Sequence, residues 1–372
     1  MLRFVDRRSV ADLTVIVSLA FAHRHDVHSG RPGHDVGDGE DTILGASGDD
    51  TINGNTGDDD INGNANNNGL SGGAGNDTID GFGGNNTING GDGNDQIIGR
   101  SGNDTLRGDD GNDVIQTGTG VDNILGGDGS DVILLGDLNG DTADGGSDGS
   151  IDGIQFSFTQ SVNIDLATGV ATLVGGGGSG TFTNFESTTV FGAGGATVSG
   201  TNGFNNIAVS GTGNTINLFD GNDGLNVTTG GNAIDGGAGV SDSVRFDTNE
   251  DVTVDLSVVG GFTQTLADTG TIAGFEVIRT LGGDDNLTGD ANSNRFESGT
   301  GADTIDTGDG DDIIFVVDGG DTIDGGGDDD DFEGEGELKE VSLQKTKSPF
   351  ENSNGLFNLC ISRGSFLVAF FF

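Results

Sequence analysis

Gly72-Gly73-Ala74-Gly75-Asn76-Asp77-Thr78-Ile79-Asp80 and Gly90-Gly91-Asp92-Gly93-Asn94-Asp95-Gln96-Ile97-Ile98 are two copies of one nine-residue pattern. Cutting the chain every nine residues from Val36 gives eleven consecutive nonamers, ending at Leu134. Position 8 is aliphatic in every one: Ile43, Ile52, Ile61, Leu70, Ile79, Ile88, Ile97, Leu106, Ile115, Ile124 and Ile133. Position 6 is Asp or Asn throughout: Asp41, Asp50, Asp59, Asn68, Asp77, Asn86, Asp95, Asp104, Asp113, Asp122 and Asp131. A fixed short period of this kind marks a solenoid, in which each repeat buries its apolar residue only by stacking on its neighbours. Period-2 alternation within a strand sends position 8 inward and positions 7 and 9 outward. Glycine in the turn permits positive φ and close approach of coils.

The pattern resembles the consensus of the RTX, or haemolysin-type, calcium-binding nonapeptide family, Gly-Gly-x-Gly-x-Asp-x-U-x with U a large aliphatic residue. The resemblance implies an all-β chain, a right-handed parallel β-roll with a six-residue turn and a three-residue strand per nonamer, two nonamers per coil. It also implies several Ca²⁺ ions, each held between nonamers n and n+2 by position-6 carboxylates and turn carbonyls. Carried over residue by residue, the implied ligands are Asp41, Asp50, Asp59, Asp77, Asp95, Asp104, Asp113, Asp122 and Asp131. The carbonyls of Gly37, Gly39, Gly73, Gly75, Gly91, Gly93, Gly127 and Gly129 join them.

With two nonamers per coil, alternate nonamers share an edge. One edge then carries an unbroken ladder of Asp41, Asp59, Asp77, Asp95, Asp113 and Asp131, with five inter-coil slots. The other carries Asp50, Asn68, Asn86, Asp104 and Asp122, and three of its four slots touch an Asn, so weaker sites are expected there. Val36 to Leu134 holds 18 Asp, one Glu and two Arg, a net of -17, close to the charge that nine Ca²⁺ would supply. Without metal the stacked like charges repel.

Composition agrees. Gly supplies 74 of 372 residues, Pro 2, and 51 of the 61 acidic residues are Asp. A helical bundle is excluded by the abundance of poor helix formers, and collagen by the missing three-residue period. One Cys excludes a disulfide framework. A net charge of -47 repels phosphate, so nucleic acid is not an expected partner.

Two further in-phase runs follow. Thr280 to Asp324 gives five nonamers with Asp285, Asn294, Asp303, Asp312 and Asp321 at position 6; the resemblance makes the four Asp ligands, with the carbonyls of Gly299, Gly301, Gly308 and Gly310. Phe191 to Asp235 keeps the inward residues Val198, Ile207, Ile216, Leu225 and Ile234, but has Ala196, Asn205, Asn214, Asp223 and Asn232 at position 6. It reads as solenoid with little calcium. The organisation expected is a leader at 1–35, RTX block at 36–134, β spacer at 135–190, degenerate solenoid at 191–235, β spacer at 236–279, second RTX block at 280–327 and tail at 328–372. The spacers match at an offset of 90: Asp152 to Phe156 with Asp242 to Phe246, Val162 to Leu166 with Val252 to Leu256, Phe185-Glu186 with Phe275-Glu276. Their alternating apolar residues read as longer strands.

Arg7 and Arg8 before the apolar stretch Val10 to Ala22 suggest a secretory signal peptide, against which Asp12 and the short core weigh; a disordered leader is the alternative. The stretch is too short to span a bilayer, and no transmembrane segment is expected. The tail holds all three Lys and ends Phe370-Phe371-Phe372, which reads either as a type I secretion signal or as an aberrant end.

Other chemistry is weak. His23, His25, His28 and His34 miss the metzincin spacing, since Arg24 stands where the first His should be. Gly145-Gly146-Ser147-Asp148-Gly149 fits Gly-x-Ser-x-Gly, a match that glycine abundance alone supplies. Asp137, Asn139 and Asp141 begin like an EF-hand loop, but Thr142 stands where the loop needs Gly and Asp148 where it needs Glu. Position 7 forms no threonine ladder of the ice-binding kind. The reading is a secreted or cell-surface bacterial calcium-binding protein, with no catalytic residue in this chain and the type I secretion machinery as an expected partner. Two alternatives stay open: the calcium-binding part of an RTX hydrolase, protease, epimerase or toxin, decided by an adjoining catalytic domain, and an adhesin or surface-layer component, decided by glycan or cell binding.

Overall fold

The computed structural model describes residues 23–27, 34–35, 38–157, 160–174, 178–191, 194–257, 271–317, 320–334 and 340–342. The candidate signal peptide over Val10 to Ala22, the candidate secretion signal at the extreme C-terminus and Gly37 lie outside them. Every regular element among the described residues is a β-strand. The chain divides into two compact units, Met1–Asp131 and Val132–Phe372.

In the first unit, strands go alternately to two parallel sheets. One contains Asp41–Gly45, Asp60–Asn64, Thr78–Phe82, Gln96–Ser101 and Val114–Thr119; the other Thr51–Thr56, Gly69–Ala74, Thr87–Asp92, Thr105–Asp110 and Asn123–Asp128. Register follows the coil of two nonamers. Ile43 pairs with Ile61, Ile61 with Ile79, Ile79 with Ile97 and Ile97 with Ile115, each 18 residues on. Ile52, Leu70, Ile88, Leu106 and Ile124 make the second column. All eleven position-8 residues are buried. The core is therefore two aliphatic columns back to back, walled by turns. Two pieces of the expected leader join the stack: His23–Val27 pairs in parallel with Asp41–Gly45, and His34–Asp35 with the strand from Thr51. The strands here run to five or six residues because pairing continues into positions 1 to 3 of the next nonamer.

The second unit repeats the plan with shorter strands. One parallel sheet runs through Gly153–Ser157, Ser187–Phe191, Asn206–Val209, Gly224–Val227, Ser243–Phe246, Val277–Thr280, Arg295–Glu297, Ile313–Val316 and Asp331–Gly334. Strands of the first spacer run longer than the three residues per nonamer that the resemblance implies: Gly153–Ser157 has five residues and Val162–Asp165 four. The additional chain in the first spacer folds as an antiparallel meander, Val162–Asp165 on Val170–Leu173 on Ser179–Thr183, turned at Gly169 with φ of 66°. The 90-residue likeness of the spacers is structural. Phe156 and Phe246 are both buried, and Glu186 and Glu276 accept the N–H of Asp152 and of Asp242 through Oε2, at 3.1 and 2.8 Å.

Candidate metal centre

Each turn brings position 6 back against the coil before it. On the complete edge, the N–H of Asp41, Asp59, Asp77, Asp95 and Asp113 donates to Oδ1 of the Asp 18 residues later, at 2.7 or 2.8 Å. Aspartate suits this place because its short side chain reaches one inter-coil spacing while keeping the carboxylate beside the backbone. The second oxygen is left over. Oδ2 of Asp59, Asp77, Asp95, Asp104 and Asp113 is buried and meets no donor among the described residues; in the second block a hydroxyl at position 1, Thr280, Ser298 or Thr307, faces the carboxylate of Asp285, Asp303 or Asp312 as a hydrogen-bond donor. A buried carboxylate oxygen without a partner is costly, and four stand on successive coils at Asp59, Asp77, Asp95 and Asp113.

The orphan oxygen lies over position 1 of its own nonamer. A Cβ at Gly90 would strike Oδ2 of Asp95 and, at 2.8 Å, the carbonyl oxygen of Gly108 in the next coil; Gly54 and Gly108 show the same cradle. Position 1 is thus glycine to leave oxygen-lined space. Reading by ligand type alone missed this role, although the glycine at position 1 of nine nonamers carried the signal. The glycines expected to offer carbonyls stand at positions 2 and 4. Gly39, Gly73, Gly75, Gly91, Gly93, Gly127, Gly129, Gly301, Gly308 and Gly310 all have positive φ, and Gly299 completes the set at position 2. The carbonyls of Gly73, Gly75, Gly93 and Gly308 face the α-carbons of Gly91, Gly93, Gly111 and Gly326, so they point along the stack at the turn edge.

Among the described residues no three His, Cys, Asp or Glu side chains gather as a metal cluster. Each slot offers two carboxylates, one from each coil, and carbonyl oxygens. An all-oxygen, flexible set suits Ca²⁺, and the orphan Oδ2 and glycine cradle fit such an ion. Burial acts on the metal-free carboxylates accordingly. It lifts Asp59 and Asp95 to about 7, with neighbouring Asp charges adding to the shift, and Asp113 and Asp285 to about 6. Asp77, Asp104, Asp303 and Asp312 are raised for the same leading reason.

The second edge differs in kind. Asn68 and Asn86 also accept the preceding N–H, from Asp50 at 3.1 Å and from Asn68 at 2.9 Å. Their amide nitrogens then turn onto the turn carbonyls. Asn68 Nδ2 donates to Asn64 and Asn66 O, Asn86 Nδ2 to Gly81, Gly83 and Gly84 O. Asn64 Nδ2 meets Oδ2 of Asp50 at 2.7 Å. An N–H donor here occupies oxygens that a cation would take. Asp104 Oδ1 and Asp122 Oδ1 accept the N–H of Asn86 and Asp104, and Asp131 and Asp321 do the same for Asp113 and Asp303.

Two further sets were not read from the sequence. Position 5 forms a counter-running ladder, in which Asn94, Asn112 and Ser130 donate N–H to Oδ1 of Asn76, Asn94 and Asn112. One more nonamer, Gly325 to Glu333, places Asp330 at position 6. Its Oδ1 accepts the Asp312 N–H at 3.2 Å, its Oδ2 is orphaned, and burial lifts it to about 6. The remaining candidates fall elsewhere. Ser147 sits in an exposed bend after the strand Asn139–Asp144, and Asn139 and Asp141 belong to that strand rather than to an EF-hand loop.

The family model for the RTX calcium-binding nonapeptide repeat (4 copies) matches residues 35–70, 67–97, 98–133, 272–305 and 288–316. No curated relative matches the chain. These spans carry RTX-type calcium-binding repeats.

Proposed function

We propose that this chain is a secreted or cell-surface protein whose β-solenoid closes when it meets extracellular calcium, and that it performs no catalysis itself. The observation that carries the reading is the recurrence of a buried, unpartnered Oδ2 at successive coils. Such a stack is unfavourable with every carboxylate ionised and no cation. Where calcium is scarce, as in the cytosol, the chain stays open; at extracellular calcium, binding free energy becomes folding free energy. Secretion through a type I machinery fits an unfolded cytosolic chain, and RTX repeat proteins are typically secreted. Residue types support the lack of catalysis: residues 36–324 contain no His, Cys or Lys to serve as base or nucleophile.

The test is a calcium titration of chelator-treated protein. Millimolar Ca²⁺ is expected to produce β-type circular dichroism and a smaller hydrodynamic radius. A fully compact β-structure in excess chelator at neutral pH sinks the reading. Hydrolase activity lost on Ser147→Ala would overturn the non-catalytic part.

A further inference from the structure

The unmatched middle of the second unit contains one inter-coil step unlike its neighbours. Asp223 is almost wholly buried; its Oδ1 accepts the Asn205 N–H at 2.7 Å, and its Oδ2 has no donor among the described residues. The next coil answers with Asp242, 19 residues on rather than 18, yet in the same place: its Oδ1 accepts the Asp223 N–H at 2.7 Å. The extra residue is absorbed in the turn, where the Gly239 N–H donates to Asp242 Oδ2 at 3.1 Å. Both oxygens of Asp242 and the carbonyl oxygen of Gly221 crowd the point where a Cβ at Gly239 would stand. Only glycine leaves that cradle open. Beside Gly221, the Asp223 carboxylate closes in from the other coil. No ion pair among the described residues reaches either Asp; Arg245, nearby in sequence, is held by Asp247.

The other steps of this run are closed differently. Asn214 Nδ2 donates to Ser210 O and Gly211 O at 3.2 and 2.8 Å, and Asn232 Nδ2 to Thr229 O at 2.7 Å. Asn205 exchanges hydrogen bonds with Thr201, taking its N–H and giving Nδ2 to its Oγ1. In those turns an amide NH₂ already occupies the inward-facing oxygens. Between Asp223 and Asp242 no side-chain amide intervenes: backbone N–H groups of Asp223 and Gly239 each take one position on the Asp242 oxygens, and Asp223 Oδ2 is left open.

We propose that one hard divalent cation of the calcium type binds between the turns of Asp223 and Asp242, outside the recognised repeats, while the asparagine-closed steps around it bind none. The proposal rests on the calcium reading of the repeats for the identity of the ion. Its position rests on the orphaned Asp223 oxygen and the Gly239 cradle. Asp223→Asn places at this step the residue the chain itself uses at 205 and 214, so the coil is expected to fold.

The experiment is native mass spectrometry of the full chain at saturating Ca²⁺, with circular dichroism to monitor folding. Asp223→Asn is expected to carry one ion fewer than wild type, Asp242→Asn likewise, and Asn214→Ala the wild-type number. An unchanged count in folded Asp223→Asn or Asp242→Asn overturns the site. A wild-type chain that binds no calcium brings down the general reading as well, so the two failures are distinguishable.

Discussion

Replacing Asp95 by Ala tests the division of labour between the two edges. Asp95 Oδ1 takes the N–H of Asp77 at 2.7 Å, and Asp77 is itself buried. Losing that acceptor orphans a buried N–H, at about 1–3 kcal/mol. In chelator the loss is partly offset, because the same substitution removes a buried carboxylate that burial has lifted to about 7. In calcium there is no such relief. Asp95 belongs to the step with Asp77 and to the step with Asp113, so two sites lose a ligand. At a tenfold excess over Kd each ion contributes about 1.4 kcal/mol to folding, so the calcium-dependent part of stability falls by ~3 kcal/mol. Asn86→Ala removes the acceptor for Asn68 and three amide-to-carbonyl bonds of 3.3 to 3.4 Å. That cost is the same with and without metal. Urea unfolding of the full chain at a series of calcium concentrations separates the two effects, because only a calcium-linked loss grows with calcium concentration. Equal calcium-linked losses for Asp95→Ala and Asn86→Ala would refute the idea that asparagine replaces the cation.

Acid should act on the metal-free fold in the direction opposite to ordinary acid denaturation. The folded-state values of Asp59 and Asp95 (about 7) and of Asp113, Asp285 and Asp330 (about 6) lie above the ordinary 3.8, so the folded chain binds protons more tightly than the unfolded one. The resulting stability is complete below the ordinary value and lost as pH rises through 6 to 7. Each tenfold difference in proton affinity between the folded and unfolded chain contributes at most about 1.4 kcal/mol per group, and less where water screens the carboxylate. In chelator the β-type circular dichroism is expected to be stronger at pH 5 than at pH 8, where the metal-free chain is open, while calcium affinity falls with acid; a signal that grows with pH in chelator contradicts this. Gly93→Ala should destabilise the calcium-bound first unit, because φ is +127° and the new methyl strikes the Gly75 carbonyl. A thermal midpoint indistinguishable from wild type would show that the coils have room to slide apart.

The columns at position 8 and the coil of two nonamers were legible because both rest on strict periods. Ile79 can be buried only if every ninth residue behaves like it, and the register Ile61–Ile79–Ile97 then follows. Departures from the period were harder to read. The meander at 162–183 alternates like any strand, and alternation does not reveal whether Val162–Asp165 pairs forward along the stack or back on Val170–Leu173. Asp242 was hidden by a single inserted residue that breaks the nine-residue count without moving the carboxylate in space. His23–Val27 carries no nonamer at all, yet its backbone extends the sheet, since a parallel edge selects for extended chain more than for sequence.

Position 6 must do one thing in every coil, which is to accept the N–H of the coil before. Three residue types do it with different consequences for the rest of the turn. Asp95 supplies one oxygen for the N–H and leaves a second that demands a positive charge. Asn86 supplies the same oxygen and brings two N–H donors of its own, so the turn closes on itself. Glu276, one methylene longer, reaches the Asp242 N–H from a coil displaced by the spacer, 34 residues on. Backbone register is therefore indifferent to the choice between Asp and Asn, whereas the proposed requirement for metal depends on it. On the proposed calcium coupling, a run of Asp makes a stack that waits for calcium, and an Asn within it closes its turn without one. On the same proposal the alternation along this chain, Asp-rich to residue 131, Asn-rich from 205 to 232 save for Asp223, and Asp-rich again from 285, sets where calcium-dependent closure begins and ends.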